Sequence, residues 1–257
     1  MPRISKKELR DLLMAKHDQY NRPDFIPNDP ISIPHAFSIR EDIEIASFLT
    51  ATIAWGNRAS IIRSAGSLME RMDGAPFDFI RSAGDSDLDR LDGFVHRTFN
   101  STDLACFIRG LKHIYRDPGG LESVFTEGFR SGGAYGALVN FRKVFISSGL
   151  TGHTLKHVSD VEKGSAAKRL NLFLMWMVRN DRSGVHFGLW NGISPSQLMI
   201  PLDTHVGRVA RSLGMLKRKT NDWMAVEELT AELRKMDPLD PCRFDFSLFG
   251  LGLFDHF

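Results

Sequence analysis

Apolar residues recur at three- and four-residue intervals along most of the chain, the spacing that gives a helix one buried face. Leu9, Leu12, Leu13 and Tyr20 outline a first amphipathic helix. Pro23, Pro27, Pro30 and Pro34 then forbid a continuous helix and predict an extended, packed connection. The helical pattern returns at Glu41 with Ile45, Phe48, Leu49, Thr52 and Ile53, and breaks at Trp55-Gly56-Asn57. Ile61, Ala65, Leu68, Met69 and Met72 form the next face, stopped by Asp73-Gly74. Further helices are predicted over 104–115 behind a Ser101/Thr102 cap, over 135–145, and over 226–236. Residues 31–33 are the one short strand candidate. The pattern predicts an all-α protein.

Composition narrows the class. Across 257 residues, 33 basic and 31 acidic side chains leave a net charge of +2, the balance of an ordinary globular protein. The longest apolar run, 170–178, is too short to cross a bilayer, so no membrane partner is expected. The charged first residues contain no apolar signal stretch. Cys106 and Cys242 stand alone, which excludes a disulfide framework and four-cysteine zinc or iron–sulfur centres. A reduced, cytoplasmic, monomeric protein without cofactors is expected.

Charge is unevenly spread. Residues 151–220 hold 11 Lys+Arg and 4 Asp+Glu, so this stretch carries +7 and the remainder −5. Local field rather than net charge governs attraction to a polyanion.

Two segments in that stretch carry candidate chemistry. In Lys163-Gly164-Ser165-Ala166-Ala167-Lys168-Arg169, small residues make a tight entry to an almost wholly apolar helix over 170–178. Lys168 falls in its first turn, a position for a nucleophilic amine. In the second segment, Asp203 is an N-cap for the helix that follows and Gly214 its C-terminal stop, with Arg208 and Arg211 on one face. A third cluster, His153, His157 and Asp160, has helical spacing for a metal but lacks a glutamate base between the histidines, and no metal is expected there.

The string Pro201-Leu202-Asp203-Thr204-His205-Val206-Gly207-Arg208-Val209-Ala210-Arg211-Ser212-Leu213-Gly214 resembles the Val-Asp-Thr-His-Val-x-Arg-Val motif of the helix-hairpin-helix DNA glycosylases, the endonuclease III superfamily. Upstream, Gly164-Ser165-Ala166-Ala167-Lys168 is similar to that family's Gly-x-Gly-x-Lys hairpin, with Ala166 in place of the second glycine. Residues 45–54 look like the family's early helix. The chain as a whole is similar to an uncharacterised bacterial family of glycosylase-like proteins.

The resemblance implies two helical subdomains flanking a cleft: 40–178, ending in the hairpin and its helix, and 1–39 plus 179–257, carrying the Asp203 helix. It implies a DNA base-excision repair glycosylase, with or without AP-lyase activity, acting on duplex DNA that holds a damaged base or abasic site. Lys168 and Asp203 would be catalytic. Lys163, Gly164, Ser165, Ala166, Arg169, Arg208, Arg211, Trp55, Asn57 and Arg58 would contact DNA. Trp176, Phe187, Trp190 and Trp223 are candidates to stack on an extruded base. The alternatives are a non-catalytic DNA-binding or nucleotide-sensing module on the same fold, and a purely structural helical protein.

Overall fold

The computed structural model describes residues 5–150, 152–180 and 182–255, and it is predominantly helical. Among the described residues no helix is long and apolar enough to cross a membrane. Helix α1 (Lys6–Tyr20) starts from a reciprocal cap: the Ser5 hydroxyl accepts the Glu8 N–H at 3.2 Å, and the Glu8 carboxylate accepts the Ser5 N–H at 2.8 Å. The prolines that follow build tight 3₁₀ turns at Pro23–Asn28, Pro30–Ser32 and Pro34–Ala36. Residues 31–33 therefore form no strand, because the flanking prolines hold the backbone in turns.

Within these turns the chain enters a separate compact unit, Ile26–Asp160. Helix α2 (Arg40–Thr52) is buried continuously from Asp42 to Thr52, which fits a central position. Helices α3 (Arg58–Arg71), α4 (Pro76–Ser82) and α5 (Asp85–Leu88) follow, and Asp73 and Gly74 in positive φ stop α3 as their residue types predict. A two-residue antiparallel ladder joins β1 (Val95–His96) to β2 (Phe99–Asn100), too short to leave an alternating pattern in the sequence.

Helix α6 (Ser101–Ile114) is capped by Asn100 rather than Ser101 or Thr102. The Asn100 side chain accepts the Asp103 N–H and the Asp103 carboxylate accepts the Asn100 N–H, both at 3.1 Å. Helix α7 (Gly120–Ile146) runs on either side of a kink where Gly132 and Gly133 leave helical geometry. Phe48, Phe107, Phe141 and Phe145 are fully buried together, with ring centroids 5.0–6.0 Å apart. Each such pair adds about 0.5–1.5 kcal/mol beyond simple burial.

The second unit joins Met1–Phe25 to Val161–Phe257. It contains α8 (Lys168–Val178), α9 (Thr204–Ser212), α10 (Trp223–Arg234) and α11 (Asp245–Leu253). Helix α11 packs on both α1 and α9. Gly250 lets it lie against the Tyr20 ring and Gly252 lets it approach Val209 and His205. The Tyr20 hydroxyl donates to Asp255 at 2.8 Å, closing α1 onto the end of α11. These compact units divide at 25/26 and 160/161, while the resemblance implies bounds at 39/40 and 178/179. The loop before Lys168 thus lies in the same unit as Asp203.

Candidate functional site

The approach to Lys168 is a braced loop. The Gly164 N–H donates to the Val161 carbonyl at 2.9 Å, with Gly164 at φ 82°, a conformation suited to glycine. Ser165 forms an antiparallel bridge with Asp222, and the Trp223 N–H donates to the Gly164 carbonyl at 3.1 Å. Ala167 sits in the left-handed region at φ 46° and ψ 36°, at a cost of roughly 1 kcal/mol for a residue with a Cβ. Neighbours hold it there: its N–H donates to the Ser165 hydroxyl at 3.2 Å, and its carbonyl accepts the Asn171 N–H at 2.9 Å. The Asn171 amide also donates to the Ala166 carbonyl at 3.2 Å. Lys168 is the first residue of α8 and half-buried, while the rest of that helix is buried almost throughout.

Residues 187 and 190 return onto the end of α8. The Phe187 N–H donates to the Trp176 carbonyl at 2.9 Å and the Trp190 N–H to the Met177 carbonyl at 3.1 Å. These satisfy carbonyls that a helix end leaves open. Arg179, fully buried, donates to both Asp240 oxygens at 2.8–3.0 Å and to His186 Nδ1 at 2.7 Å, so that histidine nitrogen is the unprotonated one.

Asp203 caps α9. Its carboxylate accepts the Val206 N–H at 2.8 Å, and Gly214 at φ 73° follows the helix, both as the sequence predicts. The Asp203 main-chain carbonyl accepts the Asn221 amide at 3.0 Å. Asn221 Oδ1 in turn accepts Arg211 at 2.6 Å, and Arg211 donates also to the Arg218 carbonyl at 2.7 Å. A Cβ on Gly207 would lie 2.8 Å from Asn221 Oδ1, so the absence of a side chain there lets Asn221 sit against α9. The next residue, Asp222, caps α10 through the Ala225 N–H at 3.0 Å and takes a bidentate ion pair from Arg218 at 2.6 Å. The Arg218 hydrogen bonds hold its carboxyl far below the usual carboxylate range.

The segment Asn221-Asp222-Trp223 therefore ties the loop before Lys168 to the cap of the Asp203 helix. No periodicity announces such a tie, because it consists of long-range main-chain and amide bonds.

The remaining candidates of this unit differ in exposure. Lys163 and Gly164 are exposed, and Ser165 and Ala166 are half-buried. Arg169 keeps some exposed surface, yet burial of its guanidinium brings it down to about 10, still charged at neutral pH. Arg208 donates to the Gly252 carbonyl at 3.0 Å. Trp176, Trp190 and Trp223 are buried, Trp190 against Phe173 and Trp223 through a 2.8 Å bond to Glu227, while Phe187 is half-buried. Charge is also redistributed. This unit holds 19 Lys+Arg and 15 Asp+Glu, or +4, and the other holds 14 and 16, or −2. Acids beyond residue 220, including Asp222 and Asp240, rejoin the basic stretch and reduce its excess.

Trp55, Asn57 and Arg58 belong to the 26–160 unit. Asn57 caps α3 by accepting the Ser60 N–H at 3.2 Å, and Arg58 lies 3.7 Å from Asp29. Trp55 stacks on His157 at 5.9 Å and meets His96 edge-on at 5.2 Å. It lines an open cleft of about 350 Å³ with Asn57, Ser60, Arg63, Ser64, Val95, His96 and Arg97. Burial lowers the His96 pKa, which favours a neutral ring facing the Ser64 hydroxyl at 2.9 Å and the Trp55 carbonyl at 3.2 Å. Arg97 occupies φ 57° in the hairpin turn, and a Cβ on Gly56 would come within 2.5 Å of its guanidinium. His96 and Arg97 escape sequence reasoning because a two-residue ladder brings them to Trp55, where they meet Arg63 of α3.

The chain matches, over residues 29–254, the family model described as Protein of unknown function (DUF2400). It belongs to that family. Comparison with curated proteins and with solved structures gave no match. The DUF2400 description names no activity, so chemistry has to be argued from the residues themselves.

One more cluster in this DUF2400 chain differs from its sequence expectation. His153 and His157 do converge, with ring centroids 5.7 Å apart, but on a 3₁₀ turn, Gly152–His157. The carboxylate they face is Asp103, at the start of α6, with His153 Nδ1 at 2.9 Å and His157 Nε2 at 3.4 Å. Asp160 instead pairs with Arg142 at 3.2 Å. Helical spacing selected the wrong acid because the segment is not an α-helix.

Proposed function

We propose that the protein is a DNA glycosylase with AP-lyase capacity that acts on a damaged base or abasic site in duplex DNA. The observation that carries this is the joint bracing of two helix starts. Lys168 opens α8 and Asp203 caps α9, and the segment 221–223 bonds to the approach of both. A reacting pair needs its groups held to within fractions of an ångström, and such bracing serves that need.

The Lys168 amine attacks C1′ of the deoxyribose, the C1′–N bond breaks, and the base leaves with the bonding pair and takes up a proton. Asp203 stabilises positive charge developing on the sugar and accepts the proton that the amine sheds. Ring opening gives a Schiff base, from which loss of the C2′ proton expels the 3′ phosphate. The +4 of this unit supplies attraction to the DNA backbone, so affinity falls as salt rises.

A second reading, a non-catalytic DNA-binding module, draws on the burial of Trp176, Trp190 and Trp223, which removes three aromatics from the set available to an extruded base. A panel of duplexes carrying uracil, 8-oxoguanine or an abasic site separates the two. Base release or strand cleavage on one of them supports the enzyme. Salt-sensitive binding with no product on any supports the binding module.

A further inference from the structure

We infer that Asp103, His153 and His157 form a binding site for one divalent transition ion, with Zn²⁺ as the representative. The inference is independent of the DNA reading. These three side chains place one ligand atom each within 4.8 Å of one another, and they come from two elements far apart in sequence. Asp103 and His157 are almost fully buried, with side chains 1% and 4% exposed, whereas His153 is 53% exposed. Two ligands are thus held in place and a third guards an open side.

The spacing fits a metal. Two ligands bound tetrahedrally at about 2.0 Å stand about 3.3 Å apart. Asp103 Oδ1 lies 2.9 Å from His153 Nδ1 and Asp103 Oδ2 lies 3.4 Å from His157 Nε2, on either side of that value, so the carboxylate faces both rings, one oxygen to each. The carboxylate is oriented from outside the triad as well. It accepts the Asn100 N–H at 3.1 Å and the Thr154 hydroxyl at 2.8 Å, the kind of second layer that fixes a metal ligand. The His157 ring is clamped between the stacked Trp55 ring and the edge-on Phe99 ring at 5.0 Å. Two imidazoles and one carboxylate suit zinc and its first-row neighbours rather than calcium or magnesium.

Metal binding replaces the proton on His153 Nδ1, which is released to solvent. Lys156 competes in that exchange. Its ammonium contacts His153 Nε2, and this favours the tautomer with the proton on Nδ1, where the metal has to bind. Lys156 is exposed and free to turn outward. An ion at this place would pin the 3₁₀ turn to α6 and so fix the ring on which Trp55 stacks.

The test uses the untagged full-length protein, stripped with chelator and titrated with Zn²⁺ by calorimetry and with Co²⁺ by visible absorption. The expected result is one ion per chain, a Zn²⁺-dependent rise in Tm, and Co²⁺ bands of a four- or five-coordinate site. His153→Ala, at an exposed position that does not threaten folding, should weaken binding at least tenfold. His157→Gln should do the same, and Lys156→Gln should tighten it. No saturable binding below about 100 μM in either wild type or Lys156→Gln would overturn the proposal. Undiminished binding in both histidine variants would overturn it too, by assigning the ion to another place.

Discussion

The Asn221 side-chain amide donates to the Asp203 main-chain carbonyl at 3.0 Å, and the residues after it pair with Ser165 and Gly164. One short segment therefore sets the position of both Asp203 and the loop leading to Lys168. Asn221→Ala removes the bonds to Asp203 and Arg211 while leaving the Asp222 cap intact. The expected loss of stability is about 1 kcal/mol, the usual net value of an intramolecular hydrogen bond. Product formation should fall by tenfold or more, beyond what that loss explains. Urea unfolding and a single-turnover assay read the two effects separately, and a fall in stability alone would mean that Asn221 is only a structural tie.

Acid should weaken the hold of this segment on the folded state. The Asp222 carboxyl is held far below its ordinary range by Arg218, with help from Thr220 and the Ala225 N–H. A carboxylate depressed in the folded state adds stability that is complete above the unfolded value, about pH 4, and is lost as pH falls through the folded value. Wild type should therefore lose stability steadily below pH 4. Asp222→Asn should be less stable at neutral pH and show a shallower acid slope. Denaturation midpoints collected from pH 7 to pH 2 check this, and parallel curves would contradict it.

Arg179 is a different kind of tie, a fully buried cation shared by Asp240 and His186. Removing one member of such a group strands the others. Arg179→Met should cost about 3 kcal/mol, the low end for a buried pair because Asp240 is 21% exposed. Adding Asp240→Leu should recover part of the loss, since no carboxylate is then left without its cation. Denaturant midpoints at constant slope measure both. A double variant no better than the single would show that the ion pair contributes little.

Close packing of α11 gives a fourth test. A Cβ at Gly250 would run into the Tyr20 ring, which is partly exposed and has some room to move. Gly250→Ala should destabilise by about 1–2 kcal/mol through overpacking, and Tyr20→Ala in the same chain should reduce the added penalty. A double-mutant cycle with no coupling would show that α1 and α11 do not meet through these residues.

Local signals carried much of the fold. Asp203 and Gly214 mark the ends of α9 because capping is decided within four residues. The helix after Lys168 is legible because its apolar positions leave no polar face. Failures occur where distant segments decide the outcome. Asp103 lies 50 residues before His153, so spacing alone pointed to Asp160. The first half of α7 went unseen because Gly128, Gly132 and Gly133 dilute its helical signal; Gly128 is required where α7 packs against its own second half at Ala137. Trp176, Trp190 and Trp223 are buried, and that burial depends on neighbours that the sequence does not display. The basic stretch overstated its field for the same reason, since Asp222 and Asp240 return to it from outside.

The most direct test of the Lys168–Asp203 account is borohydride trapping on a duplex with an abasic site or damaged base. Wild type should form a covalent adduct that survives denaturation, Lys168→Ala should form none, and Asp203→Asn should form far less while remaining folded. No wild-type adduct on any duplex, or an undiminished one with Lys168→Ala, would contradict the account.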